Sequence, residues 1–357
     1  MNQVFSELKV IELAGVLAGP LAGMFFAELG AKVIKVESAL TDGDVTRSWK
    51  LPSENPDNNV SAYFASTNYK KEYIFLDFRN QDHINEVYRL VKDADIVISN
   101  FKEGDDLKFG LDYSRLKTIN PKLIYAHLSG FESEPSRVAY DVVLQAEAGF
   151  MFMNGTPESG PVKMPLAMMD ILAAQQLKQA ILTALWLREK NGRGHHIECS
   201  LEASALAALT NQATNYLMAG SIPQAMGSLH PNIAPYGESF KCADGKLVVL
   251  AIGTDRQFKK LCKILGDEPM ADYEHFTTNS VRVEHRKALY VGLQPLFKKF
   301  ERQTLLDLCI ADNVPVAAIR SMDEVFENKK AKEMILEELI EGVNTKRVST
   351  VAFRIIE

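Results

Sequence analysis

Cysteine is scarce in this sequence of 357 residues, and the four that occur are widely separated, with no CxxC pair. Such spacing argues against a disulfide framework or a zinc site and predicts a reducing compartment, for which we expect the cytoplasm. Long apolar runs are also absent: none reaches about 18 residues, so we expect no membrane-spanning helix. An excess of positive charge is lacking too, since the formal net charge is −6, which argues against nucleic acid or an anionic membrane as a partner.

The adjacent histidines His195 and His196 are the nearest approach to a pair of metal ligands. Successive side chains of a strand point to opposite faces of a sheet, so one metal ion does not easily bind both of them. We therefore interpret this pair as structural and predict no metal site.

Short apolar segments alternate with helix-like segments over the first half of the chain. Helices are predicted, for example, at His83–Lys92 and Tyr113–Ile119. This alternation is typical of an α/β fold with a parallel sheet that helices cover on both faces. The predicted strands are Val10–Leu13, Val33–Val36, Tyr73–Leu76, Ile96–Ser99, Leu123–Leu128 and His196–Ser200.

Two longer helices flank the sixth predicted strand. The first is predicted over Ile171–Lys190, where Asn191-Gly192 ends it, and the second over Leu201–Met218. Residues 221–235 are rich in Gly, Pro and Ser and indicate a linker.

The pattern then changes to that of a smaller α+β domain. Asp244-Gly245 stands between two strand-like segments, which indicates a β-hairpin. Helical segments follow, then a strand-like segment at Val314–Ile319 and a helix predicted over Lys330–Leu339.

Residues 9–37, KVIELAGVLAGPLAGMFFAELGAKVIKVE, form a strand–helix–strand unit. The acidic Glu37 at the end of its second strand is typical of a dinucleotide-binding site. The glycines, however, recur every four residues, at Gly15, Gly19 and Gly23, which is not the spacing of that motif. An NAD-dependent oxidoreductase is therefore an alternative that the glycine spacing disfavours.

Several further stretches carry a family resemblance. Besides residues 9–37, they are GDVTRSW at 43–49, NYKKEYIFLDF at 68–78, NFKEG at 100–104, FGLDYSRLKTINPKLIYAHLSGF at 109–131, YDVVLQAEAG at 140–149 and LREKNGRGHHIECSL at 187–201. In this order they resemble the class III CoA-transferases, the group that includes formyl-CoA transferase, carnitine CoA-transferase and α-methylacyl-CoA racemase. The resemblance extends from about residue 7 to the C-terminus, and no single motif would suffice for it.

The resemblance implies a domain organisation that periodicity does not show. A large Rossmann-like domain would comprise residues 1–220 and be completed by about 320–357. A linker at 221–235 would lead to a small α+β domain at 236–319, inserted into the large one. The subunits would form an interlocked homodimer.

Asp170 follows an apolar run at the predicted start of a helix, in PLAMMDILAA. From the residues alone it is an N-cap, for which Asp is among the preferred residues. The resemblance implies instead that it is the catalytic aspartate, whose carboxylate attacks an activated acyl group and becomes covalently linked to it. A helix N-terminus would favour the ionised carboxylate.

Tyr140 stands thirty residues before Asp170, where racemases of the group have a histidine. Because a tyrosine, with a pKa near 10, is a poor base at neutral pH, this residue disfavours an acyl-CoA racemase or epimerase, which stays an alternative. A core tyrosine is the structural interpretation, whereas the resemblance implies a tyrosine that lines the active site of a transferase.

The resemblance also implies which residues contact CoA. Val16, Leu17 and Ala18 match positions near the thioester, where backbone N–H groups can stabilise a tetrahedral oxyanion. Ser38 departs from the formyl-CoA transferase type, which has a CoA-binding arginine there, and Arg47 and Lys71 are the candidates to replace it. The other matching positions are Leu76, Arg79, Asn100, Phe101, Lys102, Lys108, Arg137 and Asp141.

The function that follows is transfer of CoA from an acyl-CoA donor to a carboxylic acid acceptor. CoA and acyl-CoA would be substrates, with no permanently bound cofactor. A non-catalytic CoA-binding relative is a further alternative, which the presence of Asp170 disfavours.

Overall fold

The parallel sheet that the alternating pattern predicts is present in the computed structural model, which describes residues 3–356. Every neighbouring pair is parallel, in the order β3-β2-β1-β4-β5-β6, and each predicted strand is confirmed with its ends shifted by two residues or fewer. The order reverses between β1 and β4, which makes this the switch point of a doubly wound sheet. The strands are β1 (Lys9–Leu13), β2 (Lys32–Ser38), β3 (Lys71–Leu76), β4 (Ile96–Ser99), β5 (Ile124–Ser129) and β6 (His195–Ser200).

Helices cover both faces of this sheet. Helices α1 and α8 pack on one face, where Phe26 and Leu177 are fully buried, and α3 and α5 pack on the other, around Val87 and Leu116. The helices up to residue 219 are α1 (Ala18–Glu28), α2 (Ala62–Ala65), α3 (Gln81–Lys92), α4 (Asp105–Phe109), α5 (Tyr113–Ile119), α6 (Asp141–Glu147), α7 (Phe150–Met153), α8 (Met168–Asn191), α9 (Leu201–Ala207) and α10 (Thr210–Ala219).

The long helix predicted after the sixth strand is wrong in one respect. Instead of a single helix over Leu201–Met218, the chain forms α9 and α10. Thr210 has φ +36°, outside the right-handed α region, so the helical hydrogen-bond ladder does not continue through it. The helix predicted over Ile171–Lys190 is confirmed as part of α8.

The described chain divides into two compact units. The first contains the parallel sheet and comprises the described residues up to Phe152, Val162–Pro223 and the residues from Met334 onwards. The second comprises Met153–Pro161 and Gln224–Glu333.

The second unit has an antiparallel sheet with its own core, in which Phe240, Val248 and Phe297 are fully buried. The predicted hairpin is confirmed: β7 (Tyr236–Lys241) pairs with β8 (Leu247–Ala251) around Gly245, which has φ +77°. Strand β9 (Val316–Ala318) pairs with β8, and a two-residue ladder joins Gly155–Thr156 to Gly160–Pro161. The helices here are α11 (Asp255–Ile264), α12 (Asn279–Glu284), α13 (Arg286–Phe297), α14 (Arg302–Ala311), α15 (Met322–Phe326) and α16 (Lys329–Glu333).

The helix predicted over Lys330–Leu339 is wrong beyond Glu333. The chain there forms β10 (Ile335–Ile340), which pairs antiparallel with β11 (Val343–Val348). Glu341 and Gly342 between them have φ +50° and +81°, and two positive φ values are typical of a hairpin turn that brings two strands together. Among the helices of residues 3–356, none is long and apolar enough to cross a membrane.

Candidate active site

A cavity of about 770 Å³ lies in the first unit, at the carboxyl ends of β1, β4, β5 and β6. Ligands of open α/β sheets bind at such a switch point, and the volume is within the usual range for small-molecule sites. The structure brings most of the site residues predicted from the sequence together around it. Those that line it are Val16, Leu17, Ala18, Asn100, Phe101, Lys102, Arg137, Tyr140 and Asp170.

Asp170 is the third residue of α8, which begins at Met168, and its carboxyl group faces the cavity. Its interpretation as the N-cap is wrong, because Ala167 occupies that position. The Asp170 carboxylate accepts no hydrogen bond from any residue between 3 and 356. Burial, together with the negative charge of Asp141, raises the pKa of Asp170 to about 7. The site therefore holds a carboxylate without a protein partner and with raised basicity.

Asp141 lies behind Asp170 rather than among the residues lining the cavity. Its carboxylate accepts the Met169 N–H at 2.7 Å and the Gln145 amide N–H at 2.6 Å. Gln145 is fully buried and also accepts the Met164 N–H at 2.7 Å. These contacts hold the segment that leads into α8, so Asp141 contacts the helix terminus that carries Asp170.

Tyr140 immediately precedes α6 and is about half exposed, with its ring at the cavity. The interpretation of Tyr140 as a core tyrosine is therefore wrong.

The loop after β1 is bound to its surroundings on two sides. Gly15 N–H donates to Asn100 Oδ1 at 3.0 Å, and the Asn100 amide donates back to the Gly15 carbonyl at 3.0 Å. Val16 N–H donates to Asp44 Oδ2 at 3.1 Å. Val16 N–H is thus not free to bind a ligand, whereas the N–H groups of Leu17 and Ala18, at the start of α1, donate to no other described residue.

The four-residue spacing of the glycines has a packing cause. A Cβ on Gly19 would lie 2.5 Å from the Ala14 Cβ, and one on Gly23 would lie 2.0 Å from Glu12 Oε2. Four residues are about one helical turn, so these glycines form the face of α1 that contacts β1 and the Glu12 carboxylate. They make room for protein atoms, which explains why their spacing is not that of a dinucleotide motif.

Four charged side chains lie beneath this loop, and of these the sequence analysis singled out only Lys71. Lys35 Nζ is 3.1 Å from Glu12 Oε1 and 3.0 Å from Asp44 Oδ2, and Lys71 Nζ is 2.8 Å from Glu12 Oε2. The four side chains are 2% exposed or less, and we call them the buried ion cluster. A charged residue within each apolar strand, KVIEL and KVIKV, is the signal that would have found two of them.

The cationic replacements expected for the missing arginine at Ser38 do not face the cavity. Arg47 is buried and binds Glu37 through two nitrogen–oxygen contacts of 2.7 Å. Lys71 belongs to the buried ion cluster. Because both charges are neutralised inside the protein, the expectation that one of them binds phosphate is not supported by their positions.

Besides Asp141, three predicted CoA contacts lie outside the lining of the cavity. Leu76 is buried in the core at the end of β3. Arg79 is exposed and its Nε is 3.1 Å from Asp77 Oδ1, and the exposed Lys108 Nζ lies 5.1 Å from the centre of the Phe109 ring.

An aromatic cluster connects these two cations with the cavity. The Phe78 ring centre is 5.9 Å from that of Phe101 and 5.7 Å from that of Phe109. Phe101 lines the cavity, Arg79 follows Phe78 in the chain, and Lys108 precedes Phe109. The cluster thus forms a half-buried apolar surface with cations beside it.

Arg137 brings a further cation to the cavity. Its guanidinium is 2.6 Å from Glu147 Oε1 and lies 4.3 Å above the centre of the Phe131 ring. Both contacts restrict its direction, and about a third of the side chain stays exposed.

The predicted absence of a metal site concerned His195 and His196. His196 stacks on the Tyr113 ring, with the ring centres 4.9 Å apart. No group of three or more metal-ligating side chains is found within the described part of the chain.

Comparisons with known proteins agree on one family. The sequence model of the family described as CoA-transferase family III matches residues 5–355. The succinate–glutarate CoA-transferase of Agrobacterium fabrum (strain C58 / ATCC 33970) is 41% identical over 90% of this chain and 81% of its own. The mouse succinyl-CoA:glutarate CoA-transferase is 34% identical over 89% and 72%. A crystal structure of a CAIB/BAIF family protein from Brucella suis superposes with a TM-score of 0.87 at 38% identity, over 99% of this chain and 93% of that one.

Proposed function

Because the chain belongs to CoA-transferase family III, and is thus an enzyme that moves CoA from an acyl-CoA to a carboxylic acid, we propose that Asp170 is the covalent carrier of the reaction. The observation that carries the proposal is the carboxylate of Asp170, which faces the cavity without a hydrogen bond to any described residue. Its pKa of about 7 makes it more basic than an ordinary aspartate while much of it is ionised at neutral pH.

The proposed course is a series of exchanges at carbonyl carbons. Asp170 Oδ attacks the thioester carbon, the C–S bond breaks, and CoA thiolate leaves a mixed anhydride of donor acid and Asp170. The thiolate attacks the Asp170 carbonyl and releases the donor carboxylate, which leaves an aspartyl-CoA thioester. The acceptor carboxylate attacks this thioester, and the released thiolate then attacks the acceptor acyl carbon and frees Asp170. No step needs a proton to be added or removed.

The negative charge that develops in each step would be stabilised by two helix N-termini. Helix α1 begins at Ala18 and α8 at Met168, and residues at the start of both line the cavity. The first N–H groups of a helix have no partner within it and carry the positive end of its dipole. We propose that the N–H groups of Leu17 and Ala18 bind the oxyanion.

For the nucleotide we propose the aromatic cluster beside the cavity. Adenine would pack on Phe101 and Phe109, which offer an apolar surface. The phosphates would then meet Arg79, Lys102 and Lys108, the local cations that an acidic protein needs for such a ligand. Asn100 supports this arrangement, since it holds Gly15 and lines the cavity.

The acceptor that the comparisons favour is a dicarboxylic acid of the size of succinate or glutarate, since two similar enzymes bear such names. A second carboxylate needs a cation, and Arg137 at the cavity supplies one. A panel of mono- and dicarboxylic acids with succinyl-CoA as donor, read by mass spectrometry, identifies the acceptor class. Transfer to monocarboxylic acids alone would contradict this assignment.

We further propose an interlocked homodimer in which the second unit is the inserted domain. Large apolar side chains are exposed on the first unit, including Trp186, Leu217 and Met218 at 61%, 78% and 84%. We place these side chains in the dimer interface, where the partner subunit would cover them. A folded monomer in sedimentation experiments at micromolar concentration would contradict this.

The four cysteines are unpaired, as expected for the cytoplasm, where we place the protein.

The covalent carrier is tested directly by trapping. Incubation with acyl-CoA donor and no acceptor should leave an activated ester on Asp170, which hydroxylamine converts to a hydroxamate. Peptide mass spectrometry should locate this hydroxamate at Asp170 and at no other carboxylate. Full inactivation with the modification at another residue would refute the proposal.

A further inference from the structure

The buried ion cluster contacts the backbone at two places in the loop between β1 and α1 and at one place in the first turn of α1. Lys35 Nζ donates to the Ala14 carbonyl at 2.7 Å, and Lys71 Nζ donates to the Pro20 carbonyl at 2.8 Å. Between these points, the Asp44 carboxylate accepts the Val16 N–H at 3.1 Å. The cluster therefore restrains the loop on both sides of Leu17 and Ala18.

The charges of Lys35 and Asp44 are stabilised where they lie, whereas burial lowers the pKa of Lys71 to about 8. Burial opposes the charge of Lys35, but Glu12 and Asp44 raise its pKa; burial likewise opposes the charge of Asp44, but Lys35 lowers its pKa. Asp44 also accepts the Thr46 N–H at 3.0 Å and the Thr46 hydroxyl at 2.8 Å. Lys35 and Thr46 thus fix the orientation of the carboxylate that accepts the Val16 N–H.

Val16 has a backbone conformation that needs such support. Its φ of +69° is costly for a β-branched residue and persists where the surroundings impose it. Asp44 binds its N–H, and Asn100 binds both backbone groups of the preceding Gly15. The turn at Val16 is what directs the chain into α1 with the Leu17 and Ala18 N–H groups at the cavity.

We propose that Asp44, held by Lys35 and Thr46, is a positioning residue for CoA transfer: it holds Val16 in the left-handed conformation and so keeps the Leu17 and Ala18 N–H groups at the oxyanion position. This inference rests on the proposed function, in which those two N–H groups stabilise the tetrahedral intermediates. Asp44 itself does not line the cavity, so its proposed role is exerted through Val16.

The test compares kcat and the donor KM of two variants with thermal unfolding of the same samples. Asp44→Ala removes the acceptor of Val16 N–H, and we expect kcat to fall about 100-fold, the scale of a 1 Å misplacement, with the KM for acyl-CoA changed less than about threefold. Asp44→Asn loses the ion pair with Lys35 but keeps an oxygen for Val16 N–H. It should lose stability much as the Ala variant does, yet regain most of kcat.

Glu28→Ala is the matched control. Glu28 is also a buried carboxylate, and it accepts the Thr350 N–H at 2.9 Å and the Thr350 hydroxyl at 2.8 Å, far along the chain from the loop. We expect a lowered Tm and an unchanged kcat. If Asp44→Ala loses no more kcat than Glu28→Ala at a comparable Tm, Asp44 has only a structural role and the inference is overturned.

Two further measurements keep the result unambiguous. Thr46→Val preserves the shape of the side chain and removes its hydroxyl hydrogen bond to Asp44, so the variant should fold. We expect its kcat to fall about fivefold at an unchanged donor KM. An unchanged kcat would overturn the inference even if Asp44→Ala did not fold. Asp170→Asn is assayed in parallel. An active Asp170→Asn refutes the proposed function itself, whereas an inactive Asp170→Asn beside a fully active Asp44→Ala refutes only the positioning role.

Discussion

Asp141 and Asp170 lie next to one another at the N-terminus of α8. The Asp141 carboxylate accepts the N–H of Met169, the residue before Asp170, at 2.7 Å. The backbone next to Asp170 therefore holds the Asp141 carboxylate in place. Burial and this neighbouring charge together raise the pKa of Asp170 to about 7. A carboxylate that caps the helix thereby also raises the basicity of the one that faces the substrate.

Asp170→Asn should lower kcat by several orders of magnitude, because the neutral amide is not a nucleophile and covalent catalysis is lost. The size of the side chain is retained, so the fold should survive, as circular dichroism would show. Deamidation back to aspartate is excluded by mass spectrometry of the assayed sample. Near-wild-type transfer by the intact Asn variant would remove Asp170 as the carrier.

The pH dependence of kcat/KM for the donor should have an acidic limb with a midpoint near 7, because Asp170 must be ionised to attack and its pKa is about 7. Asp141→Asn keeps an oxygen for the Met169 N–H but removes the charge, so the midpoint should move to lower pH. Glu28→Gln, which removes a carboxylate remote from the site, should leave it unchanged. An unshifted limb in Asp141→Asn would show that Asp141 does not act on the titrating group.

Asp170→Asn should be more stable than the wild type at pH 8. The folded-state pKa of Asp170, about 7, exceeds its ordinary value of 3.8, so between these values the folded state binds more protons than the unfolded state. The free energy of unfolding contributed by this group therefore falls as pH rises from about 4 to 7. We expect a gain of about 1–2 kcal/mol, below what the full shift would give, because the carboxylate is partly exposed. Equal urea midpoints at pH 8 would contradict this.

Lys102→Ala, Lys108→Ala and Arg79→Ala should each weaken CoA binding by about 1–2 kcal/mol, the scale of one charge-assisted hydrogen bond. Binding of dephospho-CoA, which lacks the 3′-phosphate, distinguishes the three variants. A variant that has lost a contact to the 3′-phosphate should bind dephospho-CoA as well as the wild type does. Lys329→Ala removes the same charge from an exposed site of the second unit and is the control. Calorimetry with unchanged affinity in all three variants would place the nucleotide elsewhere.

Tyr140 predicts that the enzyme does not exchange the α-proton of its substrates. A 2-methylacyl-CoA incubated in D2O should gain no enzyme-dependent deuterium at the α-carbon, because the second acid/base group is missing. The same sample should still transfer CoA to an added carboxylic acid, which controls for activity. Rapid incorporation of deuterium would indicate racemase activity.

Much of the parallel sheet could be predicted from the sequence, because a strand buried on both faces is apolar along its whole length. IVIS of β4 is fully buried, and its predicted and observed bounds are the same. The pattern predicts a helix over Lys330–Leu339, where the first strand of the C-terminal hairpin begins, since the apolar residues of ILEELI fit either period and the turn at Glu341-Gly342 depends on two positive φ values. Whether a short amphipathic segment of this kind forms a helix or a strand depends on whether a partner strand pairs with it.

For the candidate site, the sequence predicted which residues line the cavity better than it predicted which of their groups are free to bind a ligand. Asp170, Tyr140 and the loop Val16–Ala18 were expected from family resemblance, and the structure places all of them at one cavity. The free donors proved to be fewer than expected, because Asp44 occupies the Val16 N–H. A local pattern shows which residues have the required chemistry, but not which of their groups are already bonded to another part of the chain.

By itself, the sequence determined the alternation of strands and helices and the presence of a carboxylate at the start of α8, since both depend on residues that are neighbours in the chain. Only the tertiary structure decided that Glu12 and Lys35 are register partners on β1 and β2, and that Asp44 and Lys71 complete a neutral cluster with them. The physical reason is that a buried charge is tolerated only where an opposite charge contacts it. The partner of each of these residues is selected by strand register and loop path, which are properties of the folded chain.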